Sequence, residues 1–252
     1  METSASPKTI LLITVPLLLL LGIAIAVKAL WPAASCHSGP PQQVNIVFDK
    51  TKPYSATQAH SIDRTLVEML TVAADNAEIN LYYITSDPEH PSLVLNVCKP
   101  ATRGNVFFND VSEQQRQFRL SVVKKVKHFI DAHYQRSGAA PIIESLATIA
   151  RQRIVTAKLE QHVDVQFDIY SDMVQDSKGK SLSGVPASCG PQDAATSRFR
   201  DTYGDVSQFF RDVPVHVYGI HREAAQWPRY PGERCVRAFW EPTFPHLTWM
   251  TI

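Results

Sequence analysis

Apolar residues recur along this chain in two rhythms, and the rhythms alternate. Residues 44–48 (VNIVF) are a short, mostly apolar run suited to a strand buried on both faces. Over 58–74 the spacing becomes helical, with Ile62, Leu66, Met69, Leu70 and Ala73 recurring on one side and N-cap hydroxyls at Ser55 and Thr57 ahead of them. EINLYYIT at 78–85 and SLVLNV at 92–97 read as strands joined by the turn DPEHP, close enough to pair as a hairpin. A long helix is predicted over 111–134, with Phe118, Val122, Val126, Phe129 and His133 on or near one face. SGAAP at 137–141 breaks it, and Pro141 suits the first turn of a following helix that runs to about Arg153. Strands over 163–170 and 213–220, a helix over 197–212 and a last helix around 233–240 complete the pattern, with Pro242 and Pro245 limiting the tail.

The predicted order is β-α-β-β-α-α-β-α-β-α. It implies an α/β fold: a Rossmann-like, doubly wound, mainly parallel sheet covered on both faces, with the hairpin supplying one antiparallel edge strand. The run over 163–170 departs from an all-apolar central strand, because Asp164, Gln166 and Asp168 alternate with apolar residues. That predicts a partly exposed face or a polar network beneath the strand. The segment 171–195 is long for a connection in a compact domain and carries Gly179, Gly184 and Gly190, which makes it a candidate recognition loop.

Residues 9–27 (TILLITVPLLLLLGIAIAV) hold no charge and lie between Lys8 and Lys28. As a helix they would span roughly 28 Å, close to the apolar thickness of a bilayer. Pro16 and Gly22 are tolerated in such a helix, and Trp31 falls at interfacial depth. An uncleaved single-pass anchor fits this best. A lipoprotein site at Ser35-Cys36 comes second, and a cleaved signal ending near Ala33-Ala34-Ser35 third. The expected division is a tail (1–8), a transmembrane anchor (9–30), a linker (31–43) and an α/β domain (44–252). Lys8 and Lys28 nearly balance, so charge hardly sets the orientation. A short tail kept inside would place the domain in a periplasmic or other extracytoplasmic space. The single anchor and the lack of N-x-S/T sequons point to a bacterial envelope.

Charge adds one exclusion. The formal net charge of the 252 residues is +1, with no concentrated basic surface, so no nucleic-acid partner is expected. Cys36, Cys98, Cys189 and Cys235 are even in number with no C-x-x-C spacing, which allows one or two disulfides in an exported domain or buried thiols in a reducing compartment. The chain has no G-x-S-x-G elbow, P-loop or His-x-x-x-His pair. The aromatic residues Trp227, Tyr230, Phe239, Trp240, Phe244 and Trp249 near the C-terminus read first as packing on the sheet and second as a docking surface.

Candidate chemistry sits at two strand ends. The first strand runs into Asp49-Lys50-Thr51-Lys52, and the strand over 163–170 runs into Ser171-Asp172. In an open parallel sheet ligands bind at the carboxyl edge of the strands. Two carboxylates and several hydroxyls around one point suit a hard cation.

The element order, with an Asp-led hydroxyl loop after the first strand and Ser-Asp after a later one, resembles the von Willebrand factor A-like domain over roughly residue 44 to the C-terminus. The resemblance implies a protein-interaction module, not an enzyme, that binds Mg2+ or Mn2+ at the sheet edge and has its coordination completed by an acidic residue of a protein partner. Residue by residue, Asp49 matches the Asp of the Asp-x-Ser-x-Ser motif, Thr51 its first hydroxyl and Asp172 the later acidic residue. Pro53 stands at the second hydroxyl position and Ala140 near the family's mid-chain Thr, so the site is degenerate and Ser55 is the substitute hydroxyl. The implied metal set is therefore Asp49, Thr51, Ser55 and Asp172, with Lys50, Lys52, Ser171 and Asp176 bordering it as partner-binding residues. In the assumed fold Cys98 and Cys189 would share this rim, and a disulfide between them would pin the long loop. Two further readings are a magnesium-dependent hydrolase or phosphoryl-transfer enzyme, and a metal-free structural subunit of a secretion- or conjugation-like complex.

Overall fold

The computed structural model describes Cys36 and residues 42–50, 54–101, 111–131, 139–159, 164–177, 180–181, 206–219 and 233–251. The elements in chain order are β1 (Gln42–Asp49), α1 (Ala56–Val72), β2 (Glu78–Ile84), β3 (Ser92–Cys98), α2 (Val111–Asp131), α3 (Ile142–Leu159) and β4 (Asp164–Ser171). They continue with β5 (Asp176–Ser177), β6 (Lys180–Ser181), a 3-10 turn (Val206–Phe209), β7 (Val215–Gly219), α4 (Glu233–Trp240) and β8 (Leu247–Thr251).

Six strands form one sheet in the order β3-β2-β1-β4-β7-β8. All pairings are parallel except β2 with β3. This is the expected doubly wound sheet with one antiparallel edge strand. The anchor expected at 9–30 lies outside the described residues; among those described, no helix is long and apolar enough to cross a membrane.

Each face of the sheet has its own core. On one, Ile62, Leu66 and Leu70 of α1 and Phe118, Val122 and Val126 of α2 pack over Val44, Ile46 and Phe48. On the other, Ile142, Ile143, Leu146 and Ile149 of α3 and Val236, Phe239 and Trp240 of α4 cover Val47, Phe167, Ile169, Val215 and Val217. The strand alternation therefore buries both sets, as expected of a central parallel sheet. The aromatic groups near the C-terminus belong largely to this second core. Phe167, Phe210 and Phe244 meet edge to face, and Trp240 stacks on Phe244 with centroids 5.5 Å apart. Packing on the sheet was the first reading for Phe239, Trp240 and Phe244, and it holds; Trp227 and Tyr230 lie outside the described residues.

Polar residues are threaded through this apolar frame. Asn45, Asn80 and Asn96 stand side by side across β1, β2 and β3. Asn96 Nδ2 donates to Asn80 Oδ1 (2.6 Å), Asn80 Nδ2 to Asn45 Oδ1 (3.3 Å), and Asn45 Nδ2 to the Gln166 carbonyl (3.4 Å). Asn96 is exposed, but Asn45 and Asn80 are fully buried and must be paired, so a shifted register would leave them unsatisfied.

Three expectations change. The tail was not expected to form a strand, yet β8 extends the sheet beside β7. Its residues alternate half-buried (Leu247, Trp249) with exposed (Thr248, Met250), and five residues are too few for that period to stand out beside Pro242 and Pro245. The long segment after β4 contains the β5–β6 hairpin. Of the helix expected over 197–212, the described part is only the 3-10 turn, and 197–205 lies outside the described residues.

The disulfide expectation is corrected as well. Cys98 bonds to Cys36, with Cα atoms 5.8 Å apart, and not to Cys189, which lies outside the described residues. The reason is strand direction. The antiparallel β3 ends at the amino edge of the sheet, opposite Glu78, so Cys98 is at the far end from Asp172. Cys235 on α4 is also disulfide-bonded.

Leu66→Ala, in the fully buried face of α1, should lower unfolding free energy by about 2–5 kcal/mol in urea titration without changing the circular dichroism of the folded protein.

Candidate functional site

The carboxyl edge is built by register. Phe48 pairs with Tyr170, so the next residue on each strand, Asp49 and Ser171, emerge together. Ser171 Oγ donates to Asp49 Oδ2 (2.8 Å) and accepts from the Met173 N–H (2.8 Å). Tyr54, just before α1, spans both strand ends: its hydroxyl donates to the Asp49 carbonyl (2.7 Å) and lies 3.5 Å from that of Tyr170. Behind this edge Phe48, Tyr170 and Tyr218 stack across β1, β4 and β7, with centroids 4.8 and 4.5 Å apart.

Asp172 turns in beside Asp49. Its Oδ1 accepts from the Val174 N–H (3.0 Å), and Met173 between them holds a positive φ of 55°. A left-handed conformation is costly for a residue with a long side chain, so something must hold it. Met173 is fully buried, and its carbonyl accepts from Trp240 Nε1 (2.8 Å). Gln175 extends the brace: its Oε1 caps the Ile143 N–H (2.9 Å) and its Nε2 donates to Glu144 (2.8 Å), while Asp176 pairs through its backbone with Ala140.

The electrostatic result is two carboxylates that crowd each other. Burial, and then the charge of Asp49, push the Asp172 carboxyl well above the usual carboxylate range, offset only in part by the Val174 N–H. The Tyr54 hydroxyl is driven up by burial and by both carboxylates. Lys50 is held below its ordinary value by burial.

The expected site residues divide accordingly. Asp49, Asp172 and Ser171 come together. Ser55 is used by α1: its Oγ accepts from the Gln58 N–H (3.3 Å), and Gln58 Oε1 accepts from the Ser55 N–H (2.6 Å), a reciprocal capping box. Lys50 is 9% exposed, so little of it faces a partner. Thr51 and Lys52 lie outside the described residues. Among the described residues no three His, Cys, Asp or Glu side chains converge to hold an ion. An ion here would rest on the two carboxylates and on hydroxyl or partner oxygens. That donor set is hard, which fits magnesium or manganese.

A second polar cluster was foreshadowed only by the alternation in β4. Fully buried Asp168 meets His216 of β7, with Nδ1 3.0 Å from Oδ1, and its Oδ2 accepts from Gln166 Nε2 (2.7 Å). The Asp168 hydrogen bond raises the His216 pKa against the opposing effect of burial, and burial with Asp168 pushes Tyr218 upward. The pair is mid-strand on the α1–α2 face of the sheet, away from the carboxyl edge.

An Asp at the end of β1 and a Ser-Asp at the end of β4 thus share one edge of a sheet ordered β3-β2-β1-β4-β7-β8 with a reversed β3. This arrangement agrees with the von Willebrand factor A-like resemblance of the sequence. Solved structures similar to it include a von Willebrand factor type A protein from Catenulispora acidiphila, at 13% identity and a TM-score of 0.46 over 84% of this chain and 38% of that one. An aerotolerance-related membrane protein from Bacteroides fragilis is 9% identical, with a TM-score of 0.40 over 84% of this chain and 91% of that one. A manganese-loaded TRAP protein from Plasmodium vivax is 11% identical, with a TM-score of 0.42 over 84% and 69%. Each likeness is slight, at 13% identity or less and a TM-score below 0.5. No protein-family model matches the chain, and no curated sequence matches it either.

The His216–Asp168 pair generates a pH dependence. The folded pKa of His216 lies above its unfolded value, so the pair's contribution is complete below about pH 6.5 and is lost as pH rises through the folded value. Urea midpoints measured from about pH 5.5 to 8.5 should therefore fall in the wild type just above the unfolded value, and His216→Gln should flatten that fall.

Proposed function

We propose that this chain is a membrane-tethered interaction module that docks a protein partner at the carboxyl edge of its sheet, with a divalent cation between Asp49 and Asp172. The observation that carries the reading is the crowding of these two carboxylates at adjacent strand ends. A folded domain keeps like charges together at a cost, and a cation removes that cost. Ser171 holds Asp49 in place, and the brace through Met173, Trp240 and Gln175 holds Asp172. The ion would be magnesium or manganese, with Thr51 the further hydroxyl expected from the sequence and an acidic side chain of the partner filling the remaining position. Ser55 is left to its helix.

The tether rests on residues 9–27, whose length and lack of charge suit a bilayer span. The Cys36–Cys98 disulfide supports an oxidising compartment and so the exported side of an envelope membrane. In this reading the protein recruits or holds a partner in an envelope assembly and is not an enzyme.

Calorimetric titration of magnesium and manganese into the domain, begun before Cys36 so that its disulfide is kept, tests the site. The wild type should bind, Asp49→Ala should weaken binding at least tenfold, and Ser55→Ala should leave it intact while costing about 1 kcal/mol of stability as a lost cap. Asp172→Asn keeps the Oδ1 acceptor for Val174 but removes the repulsion, so it should melt higher than the wild type in chelator and gain nothing from added ion. Absence of heat in the wild type, with equal melting in chelator and in magnesium, would refute the ion site. Phosphoester turnover that scales with protein and is lost in Asp49→Ala would instead favour a magnesium-dependent hydrolase.

A further inference from the structure

We infer that the Cys36–Cys98 disulfide is a strap that fixes how the domain stands on its membrane, with the amino edge of the sheet toward the bilayer and the Asp49–Asp172 edge away from it. The inference rests on the proposed tether and adds an orientation to it.

The strap is attached to a firm point. Cys98 is the last residue of β3 and lies across from Glu78, the first residue of β2. The next residue, Lys99, is nearly fully buried and locked on three sides. Its N–H donates to the Ala77 carbonyl (2.8 Å), its carbonyl accepts from the Asn76 N–H (3.0 Å), and its Nζ donates to the carbonyls of Thr71 (2.9 Å) and Ala73 at the end of α1. Gln115 Nε2 of α2 reaches back to the Pro100 carbonyl (2.7 Å). Cys98 is thus joined to two helices and two strands at the amino edge.

Strand direction then decides the orientation. β1 also enters the sheet at this edge, at Gln42. The chain arriving from residues 9–27 is therefore held twice on one side of the domain, by the sulfur of Cys98 and by β1. Asp49 is at the opposite end of β1, seven residues on and about 23 Å away.

Length makes the strap matter. From Lys28 to Cys36 there are nine residues, which reach at most about 30 Å. Without the disulfide the free leash would run from Lys28 to Gln42, fifteen residues and about 50 Å, on a single attachment. The short leash is comparable to the height of the sheet and joins it at one edge, so the domain cannot easily turn its carboxyl edge to the lipid. The long one exceeds that height and lets it tumble. A partner of the Asp49–Asp172 edge would accordingly come from the side away from this membrane.

The test uses the full chain in phosphatidylcholine vesicles carrying a headgroup acceptor dye. A donor is placed through a non-natural amino acid either at Val72, 82% exposed at the amino-edge end of α1, or at Ala56, exposed at its carboxyl-edge end. The two sites are about 25 Å apart along the helix. Energy transfer from position 72 should exceed that from position 56 at least twofold. The difference should shrink toward equality in Cys36→Ser, and also when ten Gly/Ser residues are inserted after Trp31 with the disulfide intact. The insertion keeps the test sound if Cys36→Ser fails to fold. A chain that floats with the vesicles and gives equal transfer from both positions overturns the strap alone, as does a difference that survives both changes. A chain that does not float overturns the tether, and the strap with it.

Discussion

Everything at the proposed site depends on the register of β1 against β4. Residues alternate between the two faces of a strand, so a slip of one residue would turn Asp49 away from Ser171 and Asp172 and drive Phe48 out of its core. Apolar packing opposes such a slip, because it would turn Gln43, Asn45 and Asp49 into the core that Val44, Ile46 and Phe48 fill. The asparagine row adds to this. Fully buried Asn45 serves Asn80 on one side and the Gln166 carbonyl on the other, and a slip would break the bond to Gln166. The stack of Phe48, Tyr170 and Tyr218 sets the same alignment one step below the edge.

On that frame the domain maintains a local conflict. Asp49 and Asp172 repel each other, Met173 holds a left-handed backbone, and burial opposes the charge on Asp172. Unfavourable features of this kind persist only where the surroundings over-determine them. Here the surroundings are Trp240, Gln175 and the backbone pairing of Asp176 with Ala140. The second core, which looks remote from the edge, is what aims Asp172. The site is thus a product of both faces of the sheet, and a cation or a partner bound there would relieve a tension that the fold itself sustains.

Much of this was legible in the sequence. The alternation of runs over 44–48, 58–74, 78–85 and 92–97 gave strand and helix types correctly, because each has an unambiguous period. Asp49 and Asp172 were legible as strand ends. What escaped had physical reasons. Ser55 carries a hydroxyl near the edge, and only the reciprocal bond with Gln58 shows that a helix claims it. The pairing of Cys98 turned on the direction of β3 and on Cys36, in a segment read as linker. β8 is a half-exposed edge strand of five residues, too short for its period to register. The alternation in β4 did announce a polar network, but its partner His216 lies 48 residues away and only the β4–β7 pairing brings it in.

Carboxyl-carbon NMR titration of Asp172 tests most directly whether Asp49 and Asp172 crowd each other at one site. Without divalent cation its pKa should lie well above that of an ordinary aspartate, and it should fall on adding magnesium or replacing Asp49 by Ala. An Asp172 that titrates like a surface carboxylate, unmoved by magnesium or by Asp49→Ala, would contradict the account.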